Sequence, residues 1–211
     1  DDPVGKEVSD IIERSISYSV DSYDFDAVMR SVVQDMELPG RGTSRIRWKP
    51  YLDEEGENKV YEEATCELVQ WSQFRRGPGK TWDDVPWLAF ELFLGREELN
   101  KLSPKVGPTI NLDCNVDGVT ERNDGTNVKE IFKRARVWEI WDKDSAKVIF
   151  LAEGKKDAPI RVEDDPLQLT GFFPMPRPLY GIETSDNLTP IVPYDMYRAQ
   201  AEELELISER I

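Results

Sequence analysis

No histidine occurs anywhere in this chain. That removes the commonest general base and the commonest metal ligand, so histidine-dependent triads and His-ligated zinc sites are excluded. Cysteine is almost as scarce. Cys66 and Cys114 are two thiols without motif spacing, and both are expected to be reduced, as in a cytosolic setting. The longest apolar run is far too short to span a bilayer, so no transmembrane helix and no membrane partner are expected. The N-terminus lacks the charged-then-apolar layout of a signal peptide. It also lacks a methionine, and the chain stops inside a helical pattern at Ile211. Both ends lead to the expectation of an excised portion of a longer protein.

What the chain does have is acid. Its 42 Asp and Glu outnumber 27 Lys and Arg, for a net charge of −15. Phosphate contacts need Lys and Arg, so this balance argues against tight wrapping of nucleic acid. The plain reading is a solvated acidic surface that helps solubility. The sharper one is a surface that must not grip passing DNA. A length of 211 residues with 39% hydrophobic side chains suits one large domain or two small ones with a sizeable core.

Asp2 and Pro3 make a helix start, with proline at the first helical position. Val8, Ile11, Ile12, Ile16 and Val20 follow at helical spacing. Phe25, Val28, Met29, Val32, Val33 and Met36 form the face of a second helix, which Leu38-Pro39-Gly40 ends. This stripe reads as core rather than as a ligand groove. Thr43–Tyr51 and Val60–Trp71 read as strands around a hairpin loop, Asp53–Asn58. In the second strand, Ala64, Cys66 and Leu68 form the expected core face, opposite Tyr61, Glu63, Thr65, Glu67, Val69 and Trp71. Trp87–Leu94 is a strand and Gly95–Leu102 a short helix. Ser103–Thr126 is a polar excursion. Asn127 caps a short helix through Ala135. Arg136–Trp141 and Ala146–Glu153 make a hairpin about the turn Asp142–Ser145. The fold class is α+β, with N-terminal helices, an antiparallel β-rich middle and a C-terminal helix. The expected layout is a single region: 1–40 helical, 41–160 β-rich, 161–194 a proline-rich strap, 195–211 the start of a long helix.

Five patterns invite a functional reading. Gly77-Pro78-Gly79-Lys80-Thr81 resembles the tail of a phosphate-binding loop. Phe74 stands where that motif needs glycine, and Trp82–Pro86 do not start the required helix, so a basic surface turn is the better reading. Asp113, Asn115, Asp117, Gly118 and Asp124 fall at the spacing of a calcium loop. The last ligand is Asp rather than the longer Glu, and Gly107 and Pro108 preclude an entering helix, so an acidic loop is favoured over a metal site. Glu62/Glu63, Glu97/Glu98, Asp164/Asp165 and Glu202/Glu203 are adjacent carboxylates that diverge on a helix or alternate across a strand, and they read as solvated faces. Lys129, Lys133, Arg134 and Arg136 form the one dense basic patch, with Lys129 and Lys133 sharing a helical face. Phosphate contact and an ion pair with an acidic neighbour both fit it, and the chain's acidity favours the ion pair. Trp71, Phe74, Trp82, Trp87, Phe90 and Phe93 crowd one short window. Trp82 and Trp87, separated by polar residues, read as an anchor for a loop or a neighbour.

The densest signal is Thr170–Tyr197, TGFFPMPRPLYGIETSDNLTPIVPYDMY. Pro174, Pro176 and Pro178 fix an extended backbone. Phe172, Phe173, Met175, Leu179 and Tyr180 supply apolar area, and Arg177 offers a charge to fix register. The segment is too apolar for a disordered linker and too rich in proline for an internal strand. It reads as a strap that packs across a neighbouring surface and aims a helix starting near Asp195, whose packing face is Tyr197, Ala201, Leu204, Ile207 and Ile211.

FFPMPRPLY, TSDNLTPIVPY and the glutamate-rich run after them resemble tailed-phage portal proteins of the podovirus kind. Phe25–Trp48, Trp71–Leu99 and Arg134–Gly154 resemble the same family in the same order, so the likeness covers most of 25–211. The 104–126 region carries no matching pattern. The resemblance implies a structural subunit without catalytic residues or cofactor, from the peripheral wing-type portion of a dodecameric ring. Such rings sit at one capsid vertex, made in the bacterial cytoplasm and kept in the virion. They dock the terminase packaging motor, a tail adaptor and capsid or scaffold proteins, and double-stranded DNA passes through them. Two other classes stay open: a metal-dependent acidic hydrolase using the 113–124 loop, and a monomeric binding module.

Overall fold

The computed structural model describes residues 2–53, 59–115 and 132–209. The longer helices gather at the two ends of the chain and antiparallel strands in its middle, an α+β arrangement. The contacts group into two compact units where the sequence suggests one region. The first holds Asp1–Trp71, Pro174–Ser185 and Thr189–Ile211, and the second Ser72–Phe173 and Asp186–Leu188.

The first unit opens with α1 (Pro3–Ser22), which has proline in its first turn, and α2 (Phe25–Glu37). The Asp24 carboxylate accepts from the Ala27 amide at 3.1 Å and caps α2. Val32 is its one buried residue. Beneath it runs β1 (Arg41–Leu52), paired antiparallel with β2 (Lys59–Val69). Gly42 is what lets α2 approach: a Cβ there would lie 2.0 Å from the Val32 carbonyl oxygen. Gly40, at φ +86°, reverses the chain between α2 and β1. Two residues, β8 (Leu179–Tyr180), pair with Arg41 and Gly42 to make the third strand, and α4 (Pro193–Ser208) completes the unit.

The expected core face of β2 is reversed. Ala64 is exposed and Leu68 only half-buried, leaving Cys66 alone covered on that side. Glu63, Thr65 and Val69 are buried on the other face, with Thr43 and Arg45 of β1. Register explains how a charged face tolerates cover. Glu67 meets Arg47 at 3.2 Å and Lys49 at 2.6 Å, and Tyr51 Oη donates to Glu63 at 3.2 Å. Opposed charges and a hydroxyl satisfy one another there, so polarity alone misidentifies the covered side.

The second unit is built on a five-stranded antiparallel sheet. Its order is β3 (Phe74–Arg76), β4 (Trp87–Leu94), β5 (Ala135–Asp142), β6 (Lys147–Ala152), β7 (Arg161–Asp164). Burial alternates along β5, with Ala135, Val137, Glu139 and Trp141 inside. Between β4 and β5 come α3 (Arg96–Leu102) and a 3-10 turn at Gly107–Thr109. Leu99 and Ile110 from these pack on Ala135, Val137, Ala152 and Ile160. The polar excursion therefore contributes core at Ile110 and at buried Cys114, which bridges Arg134. The helix expected to run through Ala135 does not reach it. Arg134 already sits in that bridge and Ala135 begins β5; residues 127–131 lie outside the described residues.

Candidate functional site

The strap is where the residues singled out in sequence gather, and they divide between the two units. Phe172 and Phe173 belong to the second. Phe172 packs edge-on to Trp141 with centroids 5.5 Å apart, Phe173 meets Trp82 at 6.1 Å, and the two phenylalanines stand 5.9 Å from each other. Lys143 Nζ lies 5.9 Å from the Phe173 ring centroid and donates to the Asp83 carbonyl at 2.9 Å. This aromatic cluster ties three segments together: the Trp82 loop, the end of β5 and the start of the strap. Phe172 takes φ +65°, a region where a Cβ meets the following carbonyl. Trp87 is not part of it. It opens β4, opposite Asp142, and its carbonyl accepts from the Gly77 amide at 2.8 Å.

Met175, Arg177, Leu179 and Tyr180 belong to the first unit. The Pro174 carbonyl accepts from the Ile46 amide at 2.8 Å. Met175 is buried, as are Pro174 and Pro178. The prolines do not preclude a strand here, because β8 is a two-residue edge strand that starts just after Pro178. Arg177 pairs with Glu183 at 2.7 Å and lies 5.8 Å from the Tyr180 ring centroid, so its partner is local. The helix that follows begins at Pro193, two residues earlier than expected. Tyr197, Leu204 and Ile207 are at least half exposed, and no residue of α4 is buried. The same holds for α1, whose Val8, Ile11, Ile12 and Ile16 all face solvent.

The basic patch is dispersed. Lys129 lies outside the described residues, and Lys133 is not in a helix, so the shared helical face has no support. Arg136 points to the outer side of β5. There it pairs with Glu91 at 2.8 Å and Glu153 at 2.9 Å. Burial opposes its charge, but those two carboxylates outweigh that and hold its pKa above the ordinary arginine value. Lys133 and Arg134 instead line a cleft of about 620 Å³ beside α3, with Gly95, Arg96, Glu97, Glu98, Lys101 and Leu112. Arg96 and Lys101 carried no sequence signal, because only the return of the chain after residue 131 brings them beside Lys133.

Of the calcium-spaced residues, Asp113 and Asn115 are described, while Asp117 and Asp124 lie outside the described residues. Asp113 Oδ1 is buried with no hydrogen-bond partner among the described residues, and its neighbour Cys114 is buried too. Burial, then the Asp113 charge, pushes the Cys114 thiol up. Among the described residues no group of three or more His, Cys, Asp or Glu converges as metal ligands. At the glycine-rich turn, the Asp84 carboxylate accepts from the Thr81 hydroxyl at 2.8 Å and from its amide at 3.1 Å, which lowers its pKa. That arrangement closes a turn and starts no helix. No helix among the described residues is long and apolar enough to cross a membrane. Comparison with protein-family models gives no match, and none of the curated proteins matches the chain.

Proposed function

We propose that this chain is a structural portion of a portal subunit, part of a ring at one vertex of a tailed-phage capsid through which DNA is packaged and ejected. The observation that carries the reading is the state of α1 and α4. They are helices of 20 and 16 residues with no buried residue. Most helical stability in proteins comes from packing an amphipathic face, and apolar stripes of this size are ordinarily covered. Assembly with further copies of the subunit would cover both helices. The motif segments that resemble podovirus portal proteins add to this, and they run through both units. In this reading the partners are further copies of the subunit, the terminase motor, a tail adaptor and capsid or scaffold proteins. The location is the virion.

Electron microscopy and mass measurement of the purified protein test the proposal. Closed rings, dodecameric by the family's pattern, are the expected result; a monomer at every concentration refutes it. The hydrolase alternative rests on the 113–124 loop. Calorimetry with calcium should show no tight binding, and micromolar binding abolished by Asp113→Ala with Asp117→Ala would favour that alternative instead.

A further inference from the structure

We propose that the cleft beside α3 receives the acidic side of α4 from a neighbouring copy of this chain. The inference rests on the ring reading and names one contact within it. Four cationic side chains, Arg96, Lys101, Lys133 and Arg134, line this opening in a chain of net charge −15. Two acids, Glu97 and Glu98, stand among them. Glu98 is turned onto its own helix, where its Oε2 accepts from the Gly95 amide at 2.7 Å. Arg96 is held in place by donation from Nη1 to the carbonyls of Gly107 at 2.8 Å and Pro108 at 3.2 Å. Among the described residues, the local charge is thus opposite to that of the molecule, on a framework that fixes at least one of its cations.

The matching surface is α4. Glu202, Glu205 and Glu209 recur at i, i+3 and i+7, so they lie along one side and span about 10 Å at 1.5 Å per residue. One cation of the helix faces them, Arg198, which pairs with Glu202 at 2.8 Å. A cleft of about 620 Å³ admits carboxylate side chains from successive turns. It does not admit a helix roughly 10 Å across, so the helix lies over the mouth. Two different surfaces that complement each other make a head-to-tail contact, and repetition of such a contact closes into a ring when the rotation permits.

Charge reversal on each side separates the outcomes. The variants are Lys101→Glu with Lys133→Glu, Glu202→Lys with Glu205→Lys, and all four combined. Sedimentation velocity at low and high salt reads the assembly, and circular dichroism reads the fold. Each pair alone should raise the concentration for half-assembly about tenfold or more, and the combined variant should restore it. If the cleft pair unfolds the protein, Lys101→Ala with Lys133→Ala replaces it, with a smaller loss expected. Rings that persist in both reversals, or a combined variant that stays dissociated, overturn this contact and leave the ring reading intact. A wild-type protein that never assembles defeats the ring reading itself. Rings left whole by the cleft reversal but unable to retain double-stranded DNA would make the cleft a phosphate site, and the proposal wrong.

Discussion

Replacing Phe172 should reverse the usual order of alanine and glycine. The side chain is 7% exposed and packs on Trp141 and Phe173. Truncating a buried phenylalanine removes its transfer free energy and leaves a cavity, together about 3–5 kcal/mol. Phe172→Ala should cost that much, because alanine keeps the Cβ and so keeps the unfavourable φ of +65°. Phe172→Gly loses the same ring but relieves the backbone, which is worth about 1–2 kcal/mol in this region. Glycine should therefore be the milder substitution by about 1 kcal/mol, once its larger chain entropy is subtracted. Guanidinium unfolding followed by tryptophan fluorescence measures both, with Trp82 and Trp141 as reporters within the cluster. Hydrogen exchange at β5 and β6 confirms that the loss falls in the second unit. A glycine variant no more stable than the alanine variant would refute the backbone argument. Losses below about 1 kcal/mol in both would refute the packing.

Gly42→Ala should lower stability by at least about 1–3 kcal/mol, because its Cβ would lie 2.0 Å from the Val32 carbonyl oxygen and α2 must move; denaturant melts measure it. Glu67 gives a pH test. Burial raises its pKa, but the Lys49 hydrogen bond and the charges of Arg47, Lys49 and Arg45 outweigh this and leave it lowered. Its stabilisation is present above the ordinary glutamate value of about 4.3 and is lost as pH falls through the lower folded value. Glu67→Gln should flatten the stability curve in that acid range, and an unchanged curve counts against the pairing. Burial raises the pKa of both Cys66 and Cys114, so alkylation near pH 8 should be slow in the native protein and rapid in denaturant. Fast labelling of either thiol in the native state would contradict its burial.

Local patterns were legible where one element decides its own shape. The period of α2, the apolar run of β4 and the β5–β6 hairpin are all local, and the sequence places each within a residue or two. The short strands β3, β7 and β8 exist only because a neighbour offers a ladder, which no local pattern reveals. The covered face of β2 escapes the local pattern for the same reason: Glu63 becomes buriable once β1 brings it the Tyr51 hydroxyl, and Thr65 once its hydroxyl donates to the Arg47 carbonyl. At the strap, the apolar anchors were visible in sequence. Their partner Trp141 was not, since it lies at the end of a strand about 30 residues earlier.

The division of the chain has a consequence for synthesis. The second unit is almost wholly one unbroken stretch, Ser72–Phe173, so its sheet holds every strand it needs once Asp164 is translated, before β8 is made. The first unit is different, because β1 is made early and β8 only about 140 residues later. Until then Arg41 and Gly42 lack their strand partner, and Ile46 lacks the carbonyl of Pro174. A stalled or prematurely terminated chain should therefore release a closed second unit joined to an unfinished first one. That half-built sheet edge is where the nascent chain is most open to wrong pairing.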